Sequence, residues 1–275
     1  MLPSGPWWKS HVLHPHVPTK CQAILYYHDP IDCLQSLLSH PSFASRISFV
    51  PRKVWSSSAC IVCIYEDWET ILGIYRQVEQ FQNFLFFDPA KDQIPNGATL
   101  LGVVLSSDKI NISVMTGNRM AHPLLISLTN IDPDIRSKGS LHAHVLLTLL
   151  PIASFLHPKT HIRSLLSDRL VHESLDFVLR PLKIAASIGI MMSDPIGSLR
   201  YCFTPLIAYI TDTPEQCLLL CVSPKASPVS TATHKEFGDS SLHPPRTATK
   251  TLGNIDQACA AAHLDDWDSR VSQGC

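Results

Sequence analysis

The segment from Leu100 to Leu128 contains three apolar runs separated by polar turns, and few folds accommodate such a segment. Leu100–Ser107 has the length and the glycine- and valine-containing composition of a buried strand. The second run, Ile112–Thr116, alternates loosely, and the third, Pro123–Leu128, is again apolar. Because short turns join antiparallel neighbours, the segment predicts a three-stranded antiparallel meander whose strands pair in chain order.

Further elements follow the meander. Ser140 is a candidate cap for a helix that continues through Leu150, and the apolar spacing between Leu165 and Leu182 predicts a second helix. Two apolar strands are then expected, at Ile188–Met192 and Leu206–Ile210. Strands followed by helices and then by more strands indicate an α/β fold class with its elements in α+β order.

The chain divides into four segments by composition. Residues 1–60 are rich in Pro, His and Ser and are expected to be loop-rich or partly disordered. Residues 61–97 combine apolar positions at helical spacing with a linker that contains Pro and Gly. Residues 98–222 contain the predicted core, and residues 223–275 form a polar, proline-rich tail.

Composition limits the classes of function. The 275 residues carry 22 basic and 23 acidic side chains, so a net charge of −1 provides no overall attraction to nucleic acid. The nine cysteines are scattered and odd in number, and no secretory leader precedes them, which predicts an intracellular protein with free thiols. No apolar run is long enough to predict a membrane span.

Three aspartates follow apolar runs and are candidate functional residues. Asp108 ends the first strand of the meander, where the alternative is an ordinary turn aspartate. Asp212 follows a second apolar strand, and Pro214 in the first helical turn predicts Thr213 as the helix cap, which leaves Asp212 outside the cap. Asp194 begins an Asp-Pro-Ile-Gly sequence, and we interpret it as a turn residue.

Two carboxylates at neighbouring strand ends can bind Mg²⁺, a hard cation that prefers oxygen ligands. Two such ions would stabilise both the attacking and the leaving oxygen of a phosphodiester displacement. A third acid is usual in such a site, and the nearby candidates are Glu215 and Glu236. The sequence thus predicts an incomplete metal site at Asp108 and Asp212.

Two weaker patterns have simpler interpretations. Cys60 and Cys63 form a single CxxC pair, which by itself does not predict zinc. Basic residues between Lys159 and Lys183 could meet phosphates, but a solvated helix face is the better interpretation.

The stretch SSDKINISVMTGNRMAHPLLISLTNIDPDIRSK resembles the core of Plavaka-type transposases of basidiomycete fungi, relatives of the CACTA and Kyakuja-Dileera-Zisupton elements. The resemblance extends over about residues 46–255, and its specific blocks are SDK, GNRMAHPL and YITDTPE. It implies a ribonuclease-H-like core in which two Asp and one Glu bind a divalent metal, Mg²⁺ or Mn²⁺. It also implies DNA as the partner and the nucleus as the location.

By that resemblance, Asp108 is the first acid, on the first strand of the meander, and Asp212 is the second, on the strand after the crossover helix. Related transposases often have a CPxC pair where this chain has Ser223–Pro228, so zinc is not expected there. The family's sequence continues beyond the position of Cys275, so the third acid and the rest of the core are expected to be missing.

The resemblance therefore implies a transposase-derived protein. Its core would be a fragment of a DDE-type core for metal-dependent DNA strand cleavage and transfer, inactive alone. The alternative is a non-enzymatic remnant, or a domesticated interaction module without a catalytic role. Whether the chain is an enzyme stays open at this point.

Overall fold

The computed structural model of the protein describes residues 5–49, 52–55, 63–67, 95, 97–113, 119–247, 249–254 and 257. Two compact units divide these residues, with the boundary between Ile210 and Thr211. The first unit contains the described residues up to Ile210, and the second contains those from Thr211 onward.

The first unit contains runs of consecutive strands separated by α-helices. Its strands, in order, are β1 (Lys9–Leu13), β2 (Ala23–Tyr27), β3 (Arg52–Trp55), β4 (Cys63–Asp67), β5 (Thr99–Leu100), β6 (Val103–Ser107), β7 (Ile110–Ser113), β8 (Arg119–Ala121), β9 (Pro123–Leu128), β10 (Val145–Leu149), β11 (Ile190–Ser193), β12 (Leu199–Phe203) and β13 (Leu206–Ile210). Its α-helices are α1 (Pro30–Leu38), α2 (Pro133–Arg136) and α3 (Thr160–Ile188). The second unit begins with α4 (Thr213–Leu219).

A six-stranded sheet with the order β1-β2-β10-β9-β6-β13 forms the centre of the first unit. Its neighbours are antiparallel, except that β13 runs parallel to β6. Leu105 of β6 pairs with Ile126 on one side and with Tyr209 on the other. Leu105 and Ile126 are both fully buried. Successive residues of β6, Val103 and Val104, are buried as well, so both faces of the strand are covered, which explains why its sequence is a continuous apolar run rather than an alternating one.

Helix α1 packs against β9 and β10 and also contacts α3. Asp29 caps its first turn by accepting a hydrogen bond from the N–H of Ile31 at 3.0 Å, and Pro30 occupies the first helical position. Cys33, Leu34, Leu37 and Leu38 are buried, which is the spacing of a single apolar helical face. The apolar stripe thus fixes α1 on the sheet.

Helix α3 is the longest helix among the described residues, with 29 residues. Its buried stripe, from Leu170 to Ala186, follows the helical period. The helix ends at Gly189, which has φ +74°, and a side chain there would meet the ring of Tyr201 at 2.6 Å. Glycine is therefore required at the end of α3 both for its backbone conformation and for this close approach.

A smaller sheet with the order β11-β12-β5 contains the hairpin of β11 and β12, with β5 parallel to β12. The side-chain amide of Gln35 in α1 donates to the carbonyl oxygen of Ser193 at 2.9 Å and accepts from its N–H at 3.0 Å. Gln35 therefore supplies the edge strand β11 with the hydrogen bonds that a further strand would provide.

The predicted meander is correct in type but wrong in its pairing. Strand β6 pairs directly with β9, and β9 pairs with β10, so the antiparallel three-stranded set is β6-β9-β10. The run predicted at Ile112–Thr116 begins in β7, which pairs with β8 in a separate two-stranded sheet. Leu105 and Ile126 bury their side chains fully, whereas Ile112 is 65% exposed. Apolar burial therefore favours direct pairing of β6 with β9.

The helix predicted from Ser140 to Leu150 is also wrong, because Val145–Leu149 is strand β10. A short apolar run fits either a buried helix segment or a buried strand. The pairing with β2 and β9 on its two sides decides for the strand. Leu147 and Thr148 are fully buried there. The helix at Leu165–Leu182 is confirmed within α3, and the strand at Leu206–Ile210 is confirmed as β13.

The N-terminal segment is more ordered than its composition predicted. Residues 9–38 contain β1, β2 and α1, and the two strands belong to the central sheet. The apolar and aromatic run Ala23–Tyr27 was the signal that the loop-rich interpretation overlooked. The helix predicted in residues 61–97 lies outside the described residues, apart from Glu66 and Asp67 at its start, which belong to β4.

In the second unit, α4 is followed by turns rather than by further long elements up to residue 247. The Ser227 hydroxyl accepts hydrogen bonds from the N–H groups of Val229 and Ser230, and the Arg246 side chain donates to the Ser227 carbonyl oxygen. Residues 223–247 are polar, as predicted, but these hydrogen bonds give the described part of the segment a defined local structure.

Candidate functional site

Strands β6 and β13 bring together the two chain segments that precede the candidate aspartates. They are parallel neighbours, and Ser106 pairs with Ile210 in their register. Asp108 stands two residues after Ser106, and Asp212 stands two residues after Ile210. Because the strands are parallel, their carboxyl ends meet at one edge of the sheet. The prediction that two apolar strands ending near carboxylates are neighbours is therefore confirmed for the strands.

Asp108 lies directly after β6 and is exposed. Its carboxylate makes no hydrogen bond or ion pair with another described residue. A turn aspartate would accept a hydrogen bond from a nearby backbone N–H. The absence of such a bond among the described residues does not support the turn interpretation of Asp108. The exposed carboxylate can therefore accept an external ligand.

Asp212 caps helix α4, and the prediction that Thr213 is the cap is wrong. The Oδ1 atom of Asp212 accepts a hydrogen bond from the N–H of Glu215 at 2.9 Å, while Thr213 and Pro214 are already helical. Aspartate is a better cap than threonine because its carboxylate also interacts favourably with the helix dipole. The cap uses one oxygen of a group that has about four acceptor positions, so the carboxylate retains ligand capacity.

A side-chain hydrogen bond joins the ends of β6 and β13. The hydroxyl oxygens of Ser107 and Tyr209 lie 2.9 Å apart. Ser107 directly precedes Asp108 and is buried, with 3% of its surface exposed. Sequence reasoning overlooked this pair, because an isolated Ser and an isolated Tyr some hundred positions apart show no pattern until the strands are paired.

Asp194 is a structural residue, as predicted. It is 2% exposed in the turn between β11 and β12. Its Oδ1 atom accepts from the N–H groups of Ile196 at 3.1 Å and Ser198 at 2.8 Å, and its Oδ2 atom accepts from Arg200 Nε at 2.9 Å. The N–H of Gly197 donates to the Asp194 carbonyl oxygen at 3.0 Å, which closes the predicted turn.

The charge state of Asp194 agrees with this role. Burial by itself raises the pKa of the carboxyl group. The hydrogen bonds from the Ser198 N–H, the Arg200 guanidinium and the Ile196 N–H outweigh burial and hold the pKa of Asp194 below its ordinary value. Both oxygens of Asp194 are therefore used inside the protein.

The two glutamates considered as a third acid have other surroundings in the second unit. Glu236 accepts hydrogen bonds from the N–H and the hydroxyl of Thr233, both at 2.8 Å, and these bonds lower the pKa of Glu236. Glu215 is buried, with 7% of its surface exposed. Within the described ranges, no group of three or more His, Cys, Asp or Glu side chains is arranged to hold a metal ion.

One further acid in the first unit was not among the predicted candidates. Asp168 lies on α3 and is partly buried. Burial raises the pKa of Asp168, while the charges of His172 and of Lys109, the residue after Asp108, lower it. Lys109 follows β6 by two residues, so its interaction with Asp168 places this part of α3 near the end of β6. The sequence gives no signal that Asp168 and Lys109 interact, because the two residues are far apart in the chain.

The basic residues of α3 form a solvated face, as interpreted from the sequence. Arg169 pairs with Glu173 at 3.1 Å, and Asp176 pairs with Arg180 at 3.7 Å and with Lys183 at 2.6 Å. The CxxC pair lies outside the residues whose side chains are described. None of the described helices is both long and apolar enough to span a membrane.

Comparison with known proteins identifies the family. The sequence model of one family, described as Plavaka transposase, matches residues 1–272. No curated protein matches the chain significantly. The match includes β1, β2 and α1, which precede the segment that carried the resemblance in the sequence. The matched residues include nearly the whole chain, and the chain therefore belongs to the Plavaka transposase family.

Proposed function

We propose that the protein carries a fragment of the catalytic core of a DDE-type transposase, with Asp108 and Asp212 as ligands of a divalent cation, Mg²⁺ or Mn²⁺. The chemistry of this class is metal-dependent cleavage and transfer of DNA strands. The observation that carries the proposal is the parallel pairing of β6 with β13. Ser106 and Ile210 are the last residues that pair between the two strands, and each proposed ligand follows its paired residue by two positions in the sequence.

The strand order supports a ribonuclease-H-like core. The antiparallel set β6-β9-β10 is followed by the crossover helix α3, and β13 then returns parallel to β6. Asp108 follows the first strand of this set, and Asp212 follows the strand after the crossover. The family resemblance implies this arrangement of the first and second acids.

The chemistry of the donors fits a hard cation. Mg²⁺ takes oxygen ligands, retains several waters, and is commonly held by one or two carboxylates together with substrate phosphates. Asp108 is exposed, and the capping bond of Asp212 occupies only one of its acceptor positions. A bound cation would polarise a phosphodiester at this edge of the sheet. The two side chains would orient the cation there, and DNA phosphate would complete its coordination.

DNA is the partner that membership in a transposase family implies, and action on chromosomal DNA would make the protein nuclear. The net charge of −1 provides no general attraction to DNA, so contacts must be local. We further propose that the 275-residue chain does not cleave DNA by itself. In-line displacement needs metals held in fixed geometry. Glu236 is engaged with Thr233 and Glu215 is buried, so neither supports a third ligand.

The proposal is tested by calorimetric titration with Mn²⁺ and by a cleavage assay on duplex and nicked DNA. Native protein is expected to bind Mn²⁺, and an Asp108→Ala, Asp212→Ala double variant is expected not to bind it. Asp134→Ala is the matched control, because Asp134 is also an exposed aspartate of the first unit. Equal binding by the native and double-variant proteins would reject the site and would favour a non-enzymatic interaction module.

The cleavage assay tests the second part separately. We expect no product from native protein with Mg²⁺ or Mn²⁺. Cleavage by native protein that the double variant lacks would contradict the proposed inactivity while supporting the assignment of the two aspartates.

A further inference from the structure

The hydrogen bond between the side chains of Ser107 and Tyr209 lies at the point where both candidate ligand segments begin. Its oxygen atoms are 2.9 Å apart, and it joins two strands that are about a hundred residues apart in the chain. Ser107 is directly followed by Asp108, and Tyr209 precedes Asp212 by three residues. The bond therefore links the backbone of both segments close to the proposed cation.

The register explains how the two side chains meet. Tyr209 pairs with Leu105, and side chains two residues apart on a strand share a face, so Ser107 and Tyr209 lie on the same face as the fully buried Leu105. The tyrosine ring extends along this face to the serine hydroxyl. The same alternation predicts that the side chain of Asp108 points to the opposite face of the sheet. The two hydroxyl groups would therefore hold the strands together without contacting the cation.

The β6–β13 pair lies at one edge of the central sheet and contains an irregularity. Among the described strands, β13 has β6 as its only neighbour, and their register shifts between Leu206 and Ala208. The shift disturbs the ladder near the start of β13, and an edge strand has backbone hydrogen bonds to a neighbouring strand on one side only. A part-buried side-chain bond near the last paired residues limits how far the two strand ends can separate.

We propose that Ser107 and Tyr209 are positioning residues, whose hydrogen bond holds Asp108 in register with the β13 end for cation binding. This inference rests on the proposed function of Asp108 and Asp212. Ligands of a metal ion bind best when the groups behind them are fixed, and loss of such a supporting group typically weakens affinity by about 10- to 100-fold.

The test is the Mn²⁺ dissociation constant of Tyr209→Phe, measured by calorimetry at a temperature where the variants are folded. Phenylalanine keeps the ring and removes only the hydroxyl group. We expect about 10-fold weaker binding, at the lower end of the range for supporting groups. Ser107→Ala should weaken binding equally. A double-mutant cycle of the two substitutions should show coupling, because each removes the bond that joins the two side chains.

Tyr201→Phe is the matched control. It also removes a tyrosine hydroxyl hydrogen bond within the first unit, the one donated to the Ile188 carbonyl oxygen. Both phenylalanine variants should lower the melting temperature, whereas Tyr201→Phe should leave Mn²⁺ affinity unchanged. Equal loss of affinity in Tyr201→Phe would show general loosening of the unit and would overturn the inference.

The outcomes separate this inference from the proposed function. If Asp108→Ala abolishes Mn²⁺ binding while Tyr209→Phe binds like native protein, the cation site stands and the positioning role is rejected. If native protein does not bind Mn²⁺, or if Asp108→Ala binds like native protein, both ideas fail.

Discussion

Asp108 and Asp194 both follow apolar strands of the first unit, yet their surroundings differ in every respect that decides a role. Asp194 is 2% exposed, and three hydrogen-bond donors use both of its oxygens. Asp108 is exposed, and its carboxylate has no hydrogen-bond or ion-pair partner among the described residues. A carboxylate whose oxygens are filled by the fold stabilises the fold, whereas one without internal partners is available to a ligand.

The largest expected difference between these two regions is in stability. Asp194→Ala removes three hydrogen bonds and leaves Arg200 beside an empty buried position, so it should lower the free energy of unfolding by about 3 kcal/mol. Asp108→Ala should change it by less than about 0.5 kcal/mol, as exposed positions usually do. Urea unfolding of both variants measures the contrast. Similar losses in the two variants would contradict a structural role for Asp194 that Asp108 lacks.

A smaller effect is expected for the close packing that precedes Asp108. The Cβ atom of Gly102→Ala would lie 2.1 Å from Thr129 Oγ1 and 2.9 Å from Ile207 Cγ1. Relief of these contacts should cost about 2 kcal/mol and should displace β13, which contains Ile207. Thermal unfolding checks the cost. Gly139→Ala is the control for glycine replacement without crowding, because a Cβ atom there would meet nothing within 4 Å and Gly139 has no positive φ. An unchanged melting temperature of Gly102→Ala would show that Thr129 and Ile207 can move away from position 102 without cost.

Asp212 is both a helix cap and a proposed cation ligand, and two substitutions separate these roles. Asp212→Ala should lower the free energy of unfolding by about 1 kcal/mol through loss of the α4 cap, whereas Asp212→Asn should keep the cap and leave stability nearly unchanged. Asp212→Asn should still weaken Mn²⁺ binding, because the amide lacks the charge. Asp132 also caps a helix, α2, by accepting a hydrogen bond from the N–H of Asp134, so Asp132→Asn is the control and should bind Mn²⁺ normally. Unchanged affinity in Asp212→Asn would reduce Asp212 to a capping residue.

The smallest expected effect is in the pH dependence of stability. The folded-state pKa of Asp194 lies below its ordinary value of about 4, so its charge stabilises the fold above that pH. This contribution should be lost as the pH falls through the folded-state pKa. The difference in unfolding free energy between native protein and Asp194→Asn should therefore be constant from about pH 7 to 5 and shrink below about pH 4. A difference that grows on acidification would contradict this sign.

Sequence reasoning identified the elements whose signal is local. The apolar run of β6, the helical spacing of α3 and the Asp-Pro-Ile-Gly turn each specify their structure within a few residues. It failed for β10, because an apolar run of that length fits a helix or a strand until its neighbours in the sheet are known. The direct pairing of β6 with β9 depends on which pair buries more surface, which no local pattern contains.

The candidate site shows the same limit. The positions of Asp108 and Asp212 after apolar strands were readable from the sequence. The cap made by Asp212 was missed because proline in the first turn is compatible with either neighbour as the cap. The Ser107–Tyr209 bond and the neighbourhood of Asp168 and Lys109 depend on tertiary contacts between distant segments, so they could not be predicted.

The location of bound Mn²⁺ tests the central claim most directly. Substoichiometric Mn²⁺ broadens the amide resonances of residues close to it in the NMR spectrum of isotope-labelled protein. We predict the strongest broadening at Ser107, Lys109 and Ile210, its loss in Asp108→Asn, and its reversal by excess Mg²⁺. Strongest broadening at Ile196 and Ser198 beside Asp194, or broadening that Asp108→Asn leaves unchanged, would contradict the assignment of the cation to the ends of β6 and β13.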